Sequence, residues 1–350
     1  NSLDLILAME IQNYIDNRQK LYEELLIFIE KDEINQDDFS RLIKHIKLQK
    51  IPDNSDVFKS FINLINIISK NHHRNSQFLN KIEQILTYFS EDIKQTYSND
   101  ELYDVFKKNK RIIYFLLESK MITIDKQNNL QRLEFPGIDL LEMIDKYQNE
   151  SKIENYEKDE FNTKMRIGEN DSYICQIIRQ DLIDQFIPYI NQHDISSQIL
   201  PSIFETNPLL LKKKVTLIEY AAFFGSIQIV KYLKMNNVEL TPSLWIYSIH
   251  SNNAELINLL EENCVPPPND SYNICLKESI KCHHNQIAQY IKDNYSIDPI
   301  LVKNYDNNIL SYSFKYRNYW LFSDELNHKL SFFYLCQYNY LEIVKLLLKN

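Results

Sequence analysis

TLIEYAAFFGSIQIVKYL, residues 216–233, decides the fold. Gly225 splits it into two short apolar-faced segments, with the small pair Ala221-Ala222 in the first and the core Ile229-Val230 and Leu233 in the second. That is the pattern of a helix, a tight turn and a second helix. Moving forward by 27 residues lays Ser243–Leu260, SLWIYSIHSNNAELINLL, on the same frame, with Leu256-Ile257 over Ile229-Val230 and Leu260 over Leu233. SIKCHHNQIAQYI gives a weaker copy through Ile287-Ala288 and Ile291. Leu330–Leu347, LSFFYLCQYNYLEIVKLL, gives a closer one, with Asn339 in the place of Gly225 and Ile343-Val344 in that of Ile229-Val230. Upstream, VFKKNKRIIYFLLESKMITID fits one degenerate copy, with Asn109 at the turn and Ile112-Ile113 and Leu116 as core.

A helix pair this short cannot bury both faces alone, so such pairs must stack into a continuous core. Small side chains at Ala221-Ala222 let one helix approach its neighbour closely. Ser248 and Ile249 stand there in the next copy, which predicts looser or shifted packing. Trp245 aligns with Ile218, a core position, and is expected inside.

The unit resembles the ankyrin repeat, whose first helix follows a T-P-L-H-x-A-type pattern and whose second carries an E-I-V-x-L-L core; Leu217 replaces the usual proline. Together with Ser172–Ile190, the run IFETNPLLLKK and the CHHN segment, it resembles in particular a large Asn- and Lys-rich protist family whose members carry an ankyrin-type domain of unassigned function. The resemblance is closest over about residues 172–295 and on the last copy. It departs from the pattern in lacking the Gly-Ala-Asp segment after the first copy, and in a 27-residue offset shorter than the usual ~33. The fold expected is all-α: stacked helix hairpins in an ankyrin-like solenoid with a helical N-terminal region. The expected organisation is an N-terminal helical region over 1–95, a degenerate helix pair over 96–145, a linker or long loop over 146–171, and the repeat array over 172–350.

Composition narrows the function. Three glycines, Gly137, Gly168 and Gly225, cannot write a phosphate loop, a dinucleotide fingerprint or a nucleophile elbow, each of which needs clustered glycines. A net charge of −9 with no strongly basic run disfavours nucleic acid, whose binding rests on phosphate neutralisation. Cys175, Cys264, Cys275, Cys282 and Cys336 are odd in number and irregularly spaced, which suits free thiols and an intracellular, cytoplasmic setting. The run Leu5–Met9 is short and flanked by Asp4 and Glu10, so it reads as neither signal peptide nor membrane span.

Along the N-terminal region, Leu7, Ile11, Tyr14, Arg18, Leu21, Leu25 and Phe28 form a helical stripe that suits either a helix lying on a globular core or a coiled-coil dimer. Polar entry signals at Asn35–Asp38, Pro52–Ser55, Asn75-Ser76 and Ser98–Asp100 open further helices. QNESKIENYEKDEFNTKMRIGEND, residues 148–171, lacks apolar periodicity and reads as a connector.

Cys282-His283-His284, with Cys275 seven residues earlier, is the nearest approach to a metal constellation. One helix cannot aim adjacent residues at one ion, because they diverge by about 100°. His283 also sits at the Gly225 place, so a turn residue is expected there, and His72-His73 opens another turn. No metal, cofactor or catalytic residue is expected.

The resemblance implies a non-enzymatic adaptor or scaffold that binds a protein along a concave helical surface. On that frame the residues after the small pair face the ligand: Phe223 and Phe224, His250 and Ser251, Gln337 and Tyr338. The alternatives are a scaffold that self-associates through the N-terminal helix or the solenoid ends and, more remotely, an enzyme whose site lies in 1–95 or 146–171. Because LLLKN closes the sequence directly after a repeat helix, with no polar cap, three outcomes are expected: a fragment of a longer array, an atypical exposed helix, or a helix paired with something else.

Overall fold

Thr216 and Glu219 start the decisive hairpin. The Thr216 hydroxyl accepts from the Glu219 backbone N–H at 3.3 Å, and the Glu219 carboxylate accepts from the Thr216 N–H at 3.0 Å, a reciprocal cap. Gly225 ends the first helix in the left-handed region at φ +76°, and the Ser226 N–H reaches back to the Ala221 carbonyl at 2.9 Å. Orphan groups at both helix ends are thereby satisfied.

The same device recurs without glycine. Asp181, Asn252, His283, Arg317 and Asn339 all adopt φ between 51° and 62°. After four of them the next N–H closes on the carbonyl five residues before it: Leu182 on Ile177, His284 on Ser279, Asn318 on Ser313 and Tyr340 on Leu335. Asn tolerates this conformation best among side chains with a Cβ. A hairpin protein with so little glycine therefore places Asn, Asp, Arg and His at its sharpest turns.

The computed structural model describes residues 2–123, 155–211, 214–295, 309–321 and 329–348. These residues are all-helical, with 20 α-helices and no β-strand. The chain divides into two compact units, Ile93–Pro266 and Asn1–Asp92 with Pro267–Asn350.

The Ile93–Pro266 unit contains α6 (Asn99–Phe106), α7 (Lys110–Glu118), α8 (Asn155–Ile167), α9 (Tyr173–Arg179), α10 (Ile183–Ile190), α11 (Pro208–Leu211), α12 (Leu217–Phe224), α13 (Ile227–Met235), α14 (Leu244–Ser251) and α15 (Ala254–Glu262). First helices stack on first helices: α12 packs between α9 and α14, while α10 packs on α13. Ala221 and Ala222 are fully buried, as are Ser248 and Ile249 in α14. Trp245 is also fully buried, and its indole N–H donates to the Val265 carbonyl at 2.9 Å.

Part of the stretch read as a connector is α8. Its polar sequence carries two apolar side chains one turn apart, Phe161 and Met165, and both are buried in a helix that packs on α7. Two anchors suffice when a neighbouring helix supplies the rest of the core. Residues 146–154 of the expected connector lie outside the described residues, and 168–171 follow α8 as a non-helical segment.

The other unit contains α1 (Ser2–Glu30), α2 (Gln36–Leu48), α3 (Ser55–Asn71), α4 (Phe78–Tyr88), α16 (Tyr272–Cys282), α17 (Asn285–Asn294), α18 (Ile309–Lys315), α19 (Lys329–Gln337) and α20 (Leu341–Leu348); α5 (Ser90–Thr96) spans the boundary between the units. Here α1 lies on α2 and α4, and both α1 and α3 cover α20. Leu21, Leu25 and Phe28 of the α1 stripe are buried in this unit's own core. Lys345 pairs with Asp56 at 2.9 Å and Asn54 donates to Glu342 at 3.2 Å. The last repeat helix is thus paired with the N-terminal helices of its own chain. No helix among the described residues is long and apolar enough to cross a membrane.

Candidate functional site

Two places in the molecule could carry function. One is the face read from the repeat frame. Phe223 is only 4% exposed and stacks on His250, which is also buried, at a ring separation of 5.5 Å. Phe224 is half-buried, edge-on to Phe223 and beneath the Arg179 guanidinium at 5.9 Å. The half-buried Ser251 turns its hydroxyl back to the Ser248 carbonyl. Phe223 and His250 meet in an internal seam between α12 and α14, whereas Phe224 and Ser251 are half-buried. Gln337 is exposed, and Tyr338 is half-buried with its hydroxyl 3.0 Å from Ser311; both belong to the other unit.

On α19, the helix that ends at Gln337, Phe332 and Phe333 are 41% and 51% exposed. In the repeat frame Phe332 takes the position of Ile218, which is buried. The difference is one of neighbours. Among the described residues, α12 has a first helix packed on each side, whereas α19 packs on α18 and on its own partner α20.

The second place is a histidine cluster in the same unit. His72 is the C-cap of α3, His73 follows it, and His284 is the N-cap of α17. One ring nitrogen from each lies within 4.8 Å of the other two. His73 Nδ1 is 3.2 Å from His284 Nε2. His72 Nδ1 donates to the Cys282 carbonyl at 2.8 Å, because a carbonyl can only accept, and Nε2 is left as the second nitrogen of that ring. That buried Nε2 makes no hydrogen bond and faces the Glu30 carboxylate at 3.4 Å.

Neighbouring groups hold these parts in place. The Asn75 amide donates to the carbonyls of Ile29, Glu30 and Lys31 at 3.0–3.2 Å, tying the end of α1 to the loop that follows His73. His283 takes the left-handed turn position and shares a 2.7 Å hydrogen bond with the Tyr22 hydroxyl, which aims His284 back toward α3. Burial, together with the charge of His72, pushes His73 down to about 4, so its ring is neutral at ordinary pH. Burial pushes the Glu30 carboxyl up, but the neighbouring His72 and His73 outweigh that and hold it below the usual range.

Comparison with protein-family models, with curated proteins and with solved structures finds no match to this chain. The site is therefore read from its own geometry.

Sequence reasoning singled out both His-His pairs but read each as a turn. For His283 that reading describes its backbone, at φ +62°. The convergence of His72, His73 and His284 had no sequence signal, because the pairs are more than 200 residues apart and each alone lacks metal-ligand spacing. Free thiols stand at all five cysteines. Of these, Cys175, Cys275 and Cys282 are buried, and burial raises the thiols of Cys175 and Cys275 to about 11 and about 12 and that of Cys282 well above its ordinary value, away from the reactive thiolate form.

Proposed function

We propose that this protein is a non-enzymatic, ankyrin-like interaction module that binds a protein partner through its stacked helix hairpins. The observation that carries the reading is the exposure of two adjacent aromatic residues on α19. Phe332 stands exposed where an earlier repeat buries Ile218, and Phe333 beside it, at the place of the half-buried Glu219, is exposed as well. Two exposed aromatic residues on a rigid helix are a suitable hot spot, because their large area is presented at little cost in conformational entropy. Gln337 and Tyr338 lie about one turn further along the same helix end and would form the polar rim of such a contact. Phe223, His250 and Ser251 support the scaffold in this reading, and Phe224 stiffens it.

The test is affinity capture from cell lysate with the full chain beside a Phe332→Ser, Phe333→Ser variant of unchanged helicity, followed by titration of the purified partner. A defined partner kept by the wild type and lost by the variant supports the reading. The same proteins on both would remove this face from consideration. If nothing is retained, and the wild type forms an oligomer that the variant does not, the face serves self-association between copies.

A further inference from the structure

We propose that His72, His73 and His284 form a binding site for a zinc-like divalent transition-metal ion, with the Glu30 carboxylate beside it as the fourth ligand.

The distances suit that use. Zinc–imidazole bonds of about 2.0–2.1 Å in a tetrahedron place donor atoms about 3.3 Å apart. The His73 Nδ1 to His284 Nε2 separation is 3.2 Å, and Glu30 Oε1 stands 3.4 Å from His72 Nε2. The loosest pairing within the trio is inside 4.8 Å, so the nitrogens need approach one another by no more than about 1.5 Å to share one ion.

The chemistry suits it too. A metal-bound histidine usually donates its other N–H to a carbonyl or carboxylate, which fixes the tautomer and strengthens the ligand. The bond from His72 Nδ1 to the Cys282 carbonyl is such a contact, and it leaves Nε2, which is buried without a hydrogen bond, as the atom that would meet the ion. A buried polar atom in that state costs free energy, which bonding to a cation would recover. Without metal, one ring of the His73–His284 pair must hold the proton between Nδ1 and Nε2. On binding, that proton moves to the other nitrogen of the same ring, so the neutral imidazole keeps its proton count. Three nitrogens and one carboxylate favour zinc, copper or nickel over magnesium or calcium, which prefer all-oxygen shells.

The ligands come from three segments that are distant in the chain: the end of α1, the end of α3 and the turn before α17. An ion here would clasp the N-terminal helices to the C-terminal hairpins within their unit. Because the ligands converge only in the folded chain, binding would raise its stability.

The experiment uses the full chain, stripped with a chelator, and titrates it with Zn²⁺ in competition with a chromophoric chelator and separately with Co²⁺. Expected are one equivalent of Zn²⁺, a melting temperature higher by several degrees with the ion, and Co²⁺ visible absorption of tetrahedral type without a thiolate charge-transfer band. His73→Gln and His284→Gln should each weaken binding by more than about 100-fold, since loss of a supporting group alone costs about 10–100-fold. His193→Gln, an exposed histidine in the other unit, should bind as the wild type does. His73 is only half-buried and lies outside the helices, so its variant keeps the test valid if His284→Gln fails to fold. Absence of a stoichiometric ion in the wild type, unchanged affinity in the folded His73→Gln variant, or a cobalt–thiolate band would each overturn the proposal.

Discussion

His73 Nδ1 and His284 Nε2 stand 3.2 Å apart across 211 positions of sequence. The relationship exists because a left-handed His283 turns the chain back at the end of α16, and because α16 packs on α3. Neither histidine pair carries a recognisable site alone. Together they make the most chemically specific cluster described in this molecule.

Gly225 and Gly168 should respond differently to alanine. Both have positive φ, +76° and +70°, which costs a Cβ-bearing residue roughly 1–2 kcal/mol. A Cβ at Gly225 would meet nothing nearer than the Asn253 amide at 3.5 Å, an ordinary contact, whereas at Gly168 it would press on Arg111 at 3.1 Å and Thr206 at 3.2 Å. Urea denaturation should show Gly168→Ala to be the more damaging. Gly225→Asn should be milder than Gly225→Ala, since two other hairpins already use Asn there, at Asn252 and Asn339.

Trp245→Phe should destabilise by about 1–3 kcal/mol, because the Val265 carbonyl loses its indole donor in a buried setting. Trp245→Ala should cost about 3–5 kcal/mol through the added cavity. Denaturation midpoints of the two variants check the order, and equal effects would contradict it.

Ala222→Leu should also destabilise, by about 1–3 kcal/mol, since α12 is packed on both sides and this side chain has no free space around it. Lys231→Leu, on an exposed position of α13, should lie within about 0.5 kcal/mol of wild type. Thermal melts compare the pair.

Lys110 gives a pH signature. It is 6% exposed, and burial lowers its ammonium to about 8, with Glu205 pulling weakly the other way. Between pH 8 and the ordinary lysine value of about 10.4, the unfolded chain therefore binds more protons than the folded one. Stability contributed by this group rises with pH through that window. At pH 7 the folded state carries the cost of a buried charge, so Lys110→Met should stabilise there by on the order of 1–3 kcal/mol. The gain should shrink by pH 9.5, and urea midpoints at the two pH values under reducing conditions measure it. A gain that grows with pH would refute the sign.

The sequence by itself determined what neighbouring residues control. Apolar periodicity marked the helices, Asn35, Asn54 and Ser98 marked their starts and hold capping hydrogen bonds, and the Gly225 frame located the hairpin turns. Trp245 was legible as core because a repeat supplies its own reference position. These features depend on hydrogen bonds and side-chain spacing within a few residues, so they survive in one dimension. Tertiary structure alone decided the rest. It buried Phe223 against His250, left Phe332 and Phe333 exposed, and set α1 and α3 on α20. It also brought Glu30, His72, His73 and His284 together. Each of these depends on which helices become neighbours, a choice made by the summed packing of many surfaces and written in no local stretch of the chain.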